Sequence, residues 1–245
     1  MFGQNPIRKQ QRYTDGQSLF VEEIFNTIQG EGPYAGCPAT FIRLSGCNLR
    51  CTFCDTQFEY GMQKMPFSID KIVRDALDTY DAKIPKLVVL TGGEPLRQNI
   101  VPLICKLLEA GVGHIQIETS GTLWLDRLTE LIISKENPYV DLVCSPKTPH
   151  VHGMVSRLCH HWKYIVQTNG VDLDTGIPNI NTQDPTKKRN QVFFPVPYSV
   201  DTIWIQPCDE YDDDKNKLNT QTAVEIVRKY GYRLCLQLHK QVGLP

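Results

Sequence analysis

The chain has 245 residues, 41% apolar and 22% charged, a composition that excludes a disordered chain and suits one α/β domain of about 200–250 residues. Its formal net charge of −1 gives no electrostatic reason to expect nucleic acid or an anionic membrane as the main partner. No apolar run approaches the roughly 20 residues that span a bilayer, and the N-terminus lacks the apolar segment of a secretory signal. We therefore expect a cytoplasmic protein with a flexible tail at residues 1–18 and a single domain at residues 19–245.

The cysteines are the first unusual feature. Nine are present, an odd number in a chain long enough to fold without disulfide bonds, so reduced thiols are expected. Most lie singly among apolar neighbours, where cysteine behaves as a small hydrophobic residue. The exception is GCNLRCTFCDTQ, residues 46–57 (the cysteine loop), which holds Cys47, Cys51 and Cys54. Three thiols are one short of a closed tetrahedral metal site.

Strand and helix patterns alternate along the chain after LFVEEIFNTIQGEG, an apolar stretch that ends in a glycine-rich turn. Strands are predicted at ATFIRLSG, KLVVL, HIQI, YVDLVC, KYIV, TIWI and RLCLQLH. Helices are predicted at SIDKIVRDALDTYDA, IVPLICKLLEAG, LWLDRLTELIISK, MVSRLCHHW and TQTAVEIVRKYG. Residues 168–200 are polar, and we expect an insertion or an irregular segment there. The alternation predicts an α/β fold with a mostly parallel sheet and right-handed crossovers.

Short polar clusters follow four of the predicted strands directly. They are residues 91–94 (TGGE), 118–121 (ETSG), 145–147 (SPK) and 206–207 (QP). In parallel α/β folds, ligands bind at the edge formed by the carboxyl ends of the strands. We therefore expect these clusters and the cysteine loop to meet at one edge of the sheet.

Two interpretations of the clustered cysteines stay open on spacing alone. A zinc site needs a fourth Cys or His, and His150 and His152 are available, although their spacing does not single them out. A 4Fe–4S cluster held by three cysteines leaves one iron open, which suits a reactive site better than a structural one. TGGEP favours the cluster, because paired glycines let the backbone approach a ligand and Glu94 supplies an acceptor for an ammonium group.

The combination of motifs resembles a known family. GCNLRCTFCDT followed by TGGEP is similar to the radical S-adenosylmethionine (radical SAM) superfamily. FNTIQGEG, FIRLSGC, CDT, LTGGEP, ETSGT, SPK, QP and QLHKQVGLP, in this order, resemble its 7-carboxy-7-deazaguanine synthases. The resemblance covers the chain outside the N-terminal tail and matches residues 168–200 only loosely. It implies a modified partial (βα) barrel of the radical SAM type and a carbon–nitrogen lyase of queuosine and 7-deazapurine biosynthesis.

The same resemblance implies how the cofactors bind. Cys47, Cys51 and Cys54 would ligate three irons of a 4Fe–4S cluster, and the open iron would bind the amino and carboxylate groups of S-adenosylmethionine. One electron from the reduced cluster then cleaves this cofactor to methionine and a 5′-deoxyadenosyl radical. By similarity, further contacts to S-adenosylmethionine come from Gly93, Glu94, Ser120, Ser145, Pro146, Lys147, Gln206, Pro207, Cys208 and Asp209.

The family's substrate is 6-carboxy-5,6,7,8-tetrahydropterin, which loses the hydrogen at C6, contracts its ring and releases ammonia to give 7-carboxy-7-deazaguanine. By similarity, the substrate-binding residues are Ile28, Gln29, Gly30, Glu31, Arg43, Thr91 and His239. The IQGEG residues are expected to read the amino-pyrimidinone edge, where an acidic acceptor is suitable. Arg43 and His239 are expected to meet the substrate carboxylate.

The resemblance assigns two more residues and two partners. The hydroxyl of Thr56 is expected to ligate a magnesium ion shared with the substrate, since magnesium often uses few protein ligands and several waters. The terminal carboxylate of Pro245 is expected to reach the substrate. The family also implies an electron donor such as a flavodoxin, and a homodimer.

Two other functions compete with this one. A glycyl-radical activating enzyme shares the cysteine loop and TGGEP but has no use for IQGEG or the terminal HKQVGLP. A zinc-stabilised binding module without catalysis explains the cysteines but not the convergence of polar clusters on one sheet edge. Metal analysis separates the zinc module from the cluster, because a cluster contributes about four irons per chain.

Overall fold

A computed structural model describes residues 5–11, 14–54, 56, 65–78, 85–134, 139–184, 186–187 and 191–244. Its strands are β1 (Ser18–Leu19), β2 (Val21–Ile28), β3 (Pro38–Leu44), β4 (Phe67–Ser68), β5 (Leu87–Gly92), β6 (His114–Thr119), β7 (Val140–Cys144), β8 (His161–Val166), β9 (Ile203–Pro207) and β10 (Arg233–Leu234). Its α-helices are α1 (Ile69–Asp78), α2 (Val101–Glu109), α3 (Leu128–Ile133), α4 (Gly153–Leu158), α5 (Asp213–Tyr230) and α6 (Leu238–Gln241). None of the helices in these ranges is long and apolar enough to cross a membrane.

Eight of these strands form one sheet in the order β10-β9-β8-β7-β6-β5-β3-β2. Every neighbouring pair is parallel except β2 with β3, which is antiparallel. The prediction of a mostly parallel α/β sheet is therefore confirmed. Because β2 runs against its neighbours, its last residues lie beside the start of β3, with Ile28 opposite Pro38. IQGEG thus leaves the sheet at the opposite end from the cysteine loop.

The two faces of the strands differ in character. In β6, Ile115 and Ile117 belong to the main apolar core, which also contains residues of α1, α2 and α5. The alternate residues Gln116 and Glu118 point to the other face, because successive strand side chains alternate. In β8, Lys163 lies on that second face and lines a cavity. One face of the sheet is therefore covered by helices, and the other encloses a polar interior.

The two edges of the sheet approach each other without pairing as strands. Leu238 N donates to Gly30 O at 3.1 Å, and Gly32 N donates to the sulfur of Cys235 at 3.1 Å. We call this contact between residues 30–32 and 235–238 the seam. It joins the chain after β2 to the chain after β10, so the sheet curves round into a partial barrel.

The seam also explains why one strand prediction is wrong. RLCLQLH has the alternation of a strand, but β10 spans only Arg233–Leu234 and the helical turn α6 follows at Leu238–Gln241. The chain leaves the sheet after Cys235 N has bonded to Ile205 O at 2.8 Å. The contacts at the seam, rather than the local alternation of apolar and polar residues, determine where this strand ends.

The N-terminal segment packs against the body of the protein, which differs from the expected flexible tail. Arg8 N donates to Cys47 O at 2.7 Å, and the side-chain amide of Gln10 donates to two carbonyls at 2.9 Å each. Asn5 is only 7% exposed. The segment docks because carbonyl groups of the loops beyond the strand ends have no partner within the sheet and accept its N–H groups.

Candidate active site inside the barrel

A cavity of about 250 Å³ lies inside the curved sheet. It holds most of the predicted site residues, which line it in three groups. The cysteine-loop group is Cys47, Cys51, Cys54 and Thr56, and the strand-end group is Thr91, Gly93, Ser120, Ser145, Lys147 and Gln206. The third group is Ile28, Gln29, Glu31, Arg43 and His239. Gly30, Glu94, Pro146, Pro207, Cys208 and Asp209 do not line it. Pro245 lies outside the described residues.

The three cysteine sulfurs each accept an N–H group. Cys47 accepts from Leu49 N at 3.4 Å, Cys51 from Gln183 at 3.2 Å, and Cys54 from Asn5 at 3.6 Å. Burial raises the pKa of the Cys47 thiol to about 12, with Glu94 adding to the rise. A thiolate therefore needs a nearby cation, and the irons of a cluster supply one.

A single-ion site does not fit this part of the protein. Within the described ranges, no three His, Cys, Asp or Glu side chains are placed to hold one metal ion. Zinc requires its ligands around one centre. The cysteines of an iron–sulfur cluster bind different irons, so the donor set fits a cluster rather than zinc.

The TGGE turn packs directly on the cysteine loop. A Cβ on Gly93 would lie 2.4 Å from Gly46 O and 2.8 Å from the Cβ of Cys47. Gly92 has a φ of +135°, and a Cβ there would lie 2.1 Å from Leu44 O. Both positions require glycine, because any side chain would push the strand end away from the cysteines.

Glu94 has a structural role beside its predicted one. Its carboxylate is fully buried and accepts four hydrogen bonds, from Leu96 N (3.1 Å), Thr119 Oγ1 (2.7 Å), Ser120 N (2.8 Å) and Ser120 Oγ (2.6 Å). Glu94 ties the TGGE turn to the ETSG turn and so positions Ser120 in the cavity wall. The contact of Glu94 with the ammonium group of S-adenosylmethionine stays a prediction.

The SPK turn contributes two of its three residues to the cavity. Ser145 and Lys147 both line it, and Lys147 Nζ donates to Ser145 Oγ. Burial lowers the pKa of Lys147. Pro146 does not line the cavity, so its expected contact with S-adenosylmethionine is not supported by the geometry.

The QPCD run reaches the cavity only through Gln206. Cys208 is 3% exposed, and its N–H donates to Val166 O at 2.9 Å. Asp209 instead pairs with Lys240 at 2.6 Å on the outside of the fold. Pro207, Cys208 and Asp209 do not line the cavity, and their contacts with S-adenosylmethionine stay a prediction.

A buried ion pair crosses the interior. Lys163 Nζ donates to Glu31 and lies 3.8 Å from Glu118 Oε1, and the Lys163 and Glu31 side chains are 8% and 13% exposed. Glu31 Oε1 also accepts from Gln206 at 3.1 Å and from Gln237 at 2.8 Å. Burial alone would raise the pKa of Glu31, but Lys163 and these bonds lower it to about 2. Burial opposes the charge of Lys163 too, and the two carboxylates raise its pKa above the usual range. Both groups are therefore charged at neutral pH.

Glu118 accepts hydrogen bonds from three other polar side chains on this face of the sheet. Its Oε1 accepts from Gln29 at 3.3 Å and from Gln116 at 3.0 Å, and its Oε2 accepts from Thr91 at 3.3 Å. Gln29 also donates to the side-chain oxygen of Gln116 at 3.0 Å. Two predicted substrate residues, Gln29 and Thr91, thus share one buried carboxylate at the cavity wall.

Gly30 serves the site indirectly. A Cβ on Gly30 would lie 1.9 Å from His239 Nδ1, and of the two residues only His239 lines the cavity. The expected contact of Gly30 with the pterin is therefore not supported. Its role in the structure is to let the imidazole approach the turn that holds Glu31.

Arg43 and Thr56, predicted for the substrate carboxylate and for magnesium, lie side by side. Arg43 donates to Thr56 Oγ1 at 3.2 Å and to Glu23 Oε1 at 2.6 Å. Its guanidinium also lies 5.8 Å from the centroid of Phe25. This places a fixed cation next to the hydroxyl at the mouth of the cysteine loop.

Comparisons with known proteins agree with this geometry. The sequence model of the Radical SAM superfamily matches residues 41–174. The 7-carboxy-7-deazaguanine synthase of Rhodospirillum rubrum is 38% identical, over 98% of this chain and 98% of that protein. The enzyme of the same name from Rickettsia prowazekii is 36% identical, over 100% of this chain and 96% of that protein. The chain belongs to the 7-carboxy-7-deazaguanine synthase family. The crystal structure of QueE from Escherichia coli has the same fold, with a TM-score of 0.58 at 23% identity over 92% of this chain and 99% of that one.

Membership of the radical SAM superfamily implies a 4Fe–4S cluster and S-adenosylmethionine as cofactors. The residues of this family member fit both groups. Three cysteines with sulfur acceptors line one end of the cavity, and two glycines bring a strand end against them.

Several polar residues at or next to the cavity were given no role by the sequence. Lys163 and Asn5 lie outside the quoted motifs, Glu118 and Gln237 lie within them without an assigned role, and Gln116 lies behind Glu118. A signal for three of them was present. Gln116, Glu118 and Lys163 interrupt strands that otherwise read as apolar, and a polar residue at alternate positions indicates a second, polar face.

Proposed function

We propose that this chain converts 6-carboxy-5,6,7,8-tetrahydropterin to 7-carboxy-7-deazaguanine, with loss of ammonia, in queuosine and 7-deazapurine biosynthesis. The bound cluster and S-adenosylmethionine supply the radical chemistry of the superfamily. The observation that carries the proposal is the shared cavity: three cysteines line one end, and the ionised Glu31 and the Glu118 carboxylate line its interior wall.

The interior wall suits a pterin edge. An amino-pyrimidinone presents N–H donors beside a carbonyl acceptor, and Glu31 and Glu118 provide acceptors while Gln29 and Lys163 provide donors. Lys163 keeps Glu31 ionised although the carboxylate is buried. A charged acceptor makes a stronger hydrogen bond than a neutral one, which favours the correct ring edge.

The carboxylate of the substrate would bind at the mouth of the cavity. Arg43 and His239 both line the cavity, and at the mouth Arg43 donates a hydrogen bond to Thr56 Oγ1 at 3.2 Å. We propose that the Thr56 hydroxyl ligates a magnesium ion whose remaining ligands are substrate oxygens and water. A substrate carboxylate between Arg43 and this ion would offset their mutual repulsion.

The proposal extends to the surroundings of the enzyme. A cluster that is reduced by one electron needs a donor, and a flavodoxin is the proposed class. The proposed assembly is a homodimer, and the proposed location is the cytoplasm. The terminal carboxylate of Pro245 is proposed as a further substrate contact.

Anaerobic turnover tests the proposal directly. Cluster-loaded protein is incubated with carboxytetrahydropterin, S-adenosylmethionine and a reductant, and the product is identified by mass spectrometry. We expect 7-carboxy-7-deazaguanine, and Cys51→Ala serves as the control that lacks a complete cluster. A sample with about four irons per chain that cleaves S-adenosylmethionine but forms no deazaguanine would contradict the assignment.

A further inference from the structure

Two segments that lie outside the range of the superfamily sequence model contact the cysteine loop. The superfamily sequence model covers residues 41–174, whereas Asn5 and Gln183 lie on either side of that range. Asn5 Nδ2 donates to Cys54 Sγ at 3.6 Å, and Gln183 Nε2 donates to Cys51 Sγ at 3.2 Å. Each outer segment therefore brings one side-chain amide to one sulfur.

Both amides are held in place by other contacts with the same loop. Asn5 Nδ2 also donates to Thr56 O at 2.6 Å, and Asn5 O accepts from Arg50 Nε at 3.3 Å. Gln183 Oε1 accepts from Arg50 N at 2.8 Å. The third sulfur, on Cys47, has its donor within the loop itself, from Leu49 N at 3.4 Å.

We propose that Asn5 and Gln183 are positioning residues that set the reduction potential of the 4Fe–4S cluster. The inference rests on the cluster that the superfamily implies. A reduced cluster carries one more negative charge than an oxidised one, and part of that charge lies on the thiolate sulfurs. An N–H donor at the sulfur stabilises the reduced form more, and so raises the potential.

The matched variants remove the donors while conserving side-chain volume. They are Asn5→Leu and Gln183→Leu. The controls are Gln10→Leu in the same N-terminal segment and Gln191→Leu in the same 168–200 segment. Gln10 donates to two backbone oxygens and Gln191 donates to the Thr175 hydroxyl, and none of these contacts involves a cysteine.

The measurement is a redox titration of cluster-loaded protein, followed by the electron paramagnetic resonance signal of the reduced cluster. We expect each donor variant to lower the equilibrium constant for reduction about two- to tenfold, where tenfold equals about 59 mV for one electron. The double variant is expected to show the larger shift. Both control variants are expected to titrate at the wild-type potential.

Two results would overturn the proposal. One is a wild-type potential in both donor variants at full iron content. The other is a loss of iron in which the remaining cluster still titrates at the wild-type potential, because the amides would then only hold the loop. Neither readout involves the pterin, so a failure of the proposed reaction stays distinguishable.

A measurement on the unaltered protein covers the case in which a variant fails to load its cluster. Wild-type protein carrying ¹⁵N in the side-chain amides of asparagine and glutamine is expected to show nitrogen coupling in the signal of the reduced cluster. Absence of that coupling would show that no side-chain amide bonds to the cluster, against the proposal.

Discussion

Replacing Lys163 by methionine tests the buried charge network most directly. Methionine has nearly the volume of lysine, so the change removes the cation that Glu31 and Glu118 share without opening a large cavity. Removing one partner of a buried ion pair typically costs about 3–5 kcal/mol. The pKa of Glu31, lowered from 4.5 to about 2, gives an independent value of about 3 kcal/mol. For a chain of this size, we expect a fall in Tm of about 6–12 °C.

The pH dependence of this loss has a definite sign. The folded pKa of Glu31 lies below its unfolded value, so its stabilisation is present above about pH 4.5 and is lost as the pH falls toward 2. In Lys163→Met, burial instead raises the pKa of the unpaired Glu31 carboxylate, and protonation removes its buried charge. The difference between wild type and variant should therefore be full at pH 7 and shrink below about pH 5.

Guanidinium unfolding of the reduced, metal-free protein at about pH 4 and about pH 7.5 measures this difference. Lys163→Arg keeps the charge and is the matched control. Lys163→Met combined with Glu31→Gln should lose less than the sum of the two single changes, because the carboxylate left behind is then neutral. A loss below about 1 kcal/mol that is equal at both pH values would refute the reasoning.

Three further outcomes follow from the site and its supports. Gly30→Ala should raise the KM for the pterin at least about tenfold with normal iron content, because the added Cβ would lie 1.9 Å from His239 Nδ1. Gly153→Ala, whose Cβ meets open space, is the control, and an unchanged KM in Gly30→Ala would contradict the packing. Thr56→Ala should slow product formation at limiting magnesium while S-adenosylmethionine cleavage continues, and Thr56→Ser should restore it; normal turnover of the alanine variant would remove the magnesium proposal. Burial would raise the pKa of Asp141, but bonds from a neighbouring histidine and tyrosine lower it, so its stabilisation is lost as the pH falls below about 4. In Asp141→Asn, the free energy of unfolding should therefore fall less between neutral and acid pH than in the wild type. An equal fall in both proteins would contradict this prediction.

The local chemistry of the strand ends was predictable from sequence. KLVVL and HIQI gave β5 and β6 with the glycine-rich and hydroxyl-rich turns where expected, and the cysteine loop faces them. These features depend on neighbours in the chain, which periodicity and glycine placement report well.

The features that were missed depend on distant partners. Glu94 is exposed to no solvent because residues of the ETSG turn, 25 and 26 positions away, donate to its carboxylate. Because β2 is antiparallel to β3, IQGEG lies at the far end of the barrel. There Glu31 accepts a hydrogen bond from Lys163, which is 132 positions further along the chain. Neither contact leaves a local pattern, so the sequence did not reveal the hydrogen bonds that bury Glu94 and overlooked Lys163.

The seam is a section of the barrel wall that is held by single hydrogen bonds rather than by a strand ladder, so we expect its opening to cost less free energy than parting two paired strands. Opening it breaks bonds such as Leu238 N to Gly30 O, whereas parting any other pair of neighbouring strands breaks a ladder. Amide hydrogens at Gly32 and Leu238 should therefore exchange with solvent faster than those of β5, and a bound pterin should slow them. Because Glu31 and Gln237 of the seam line the cavity, the exchange rates of the neighbouring amides report on what is bound inside it.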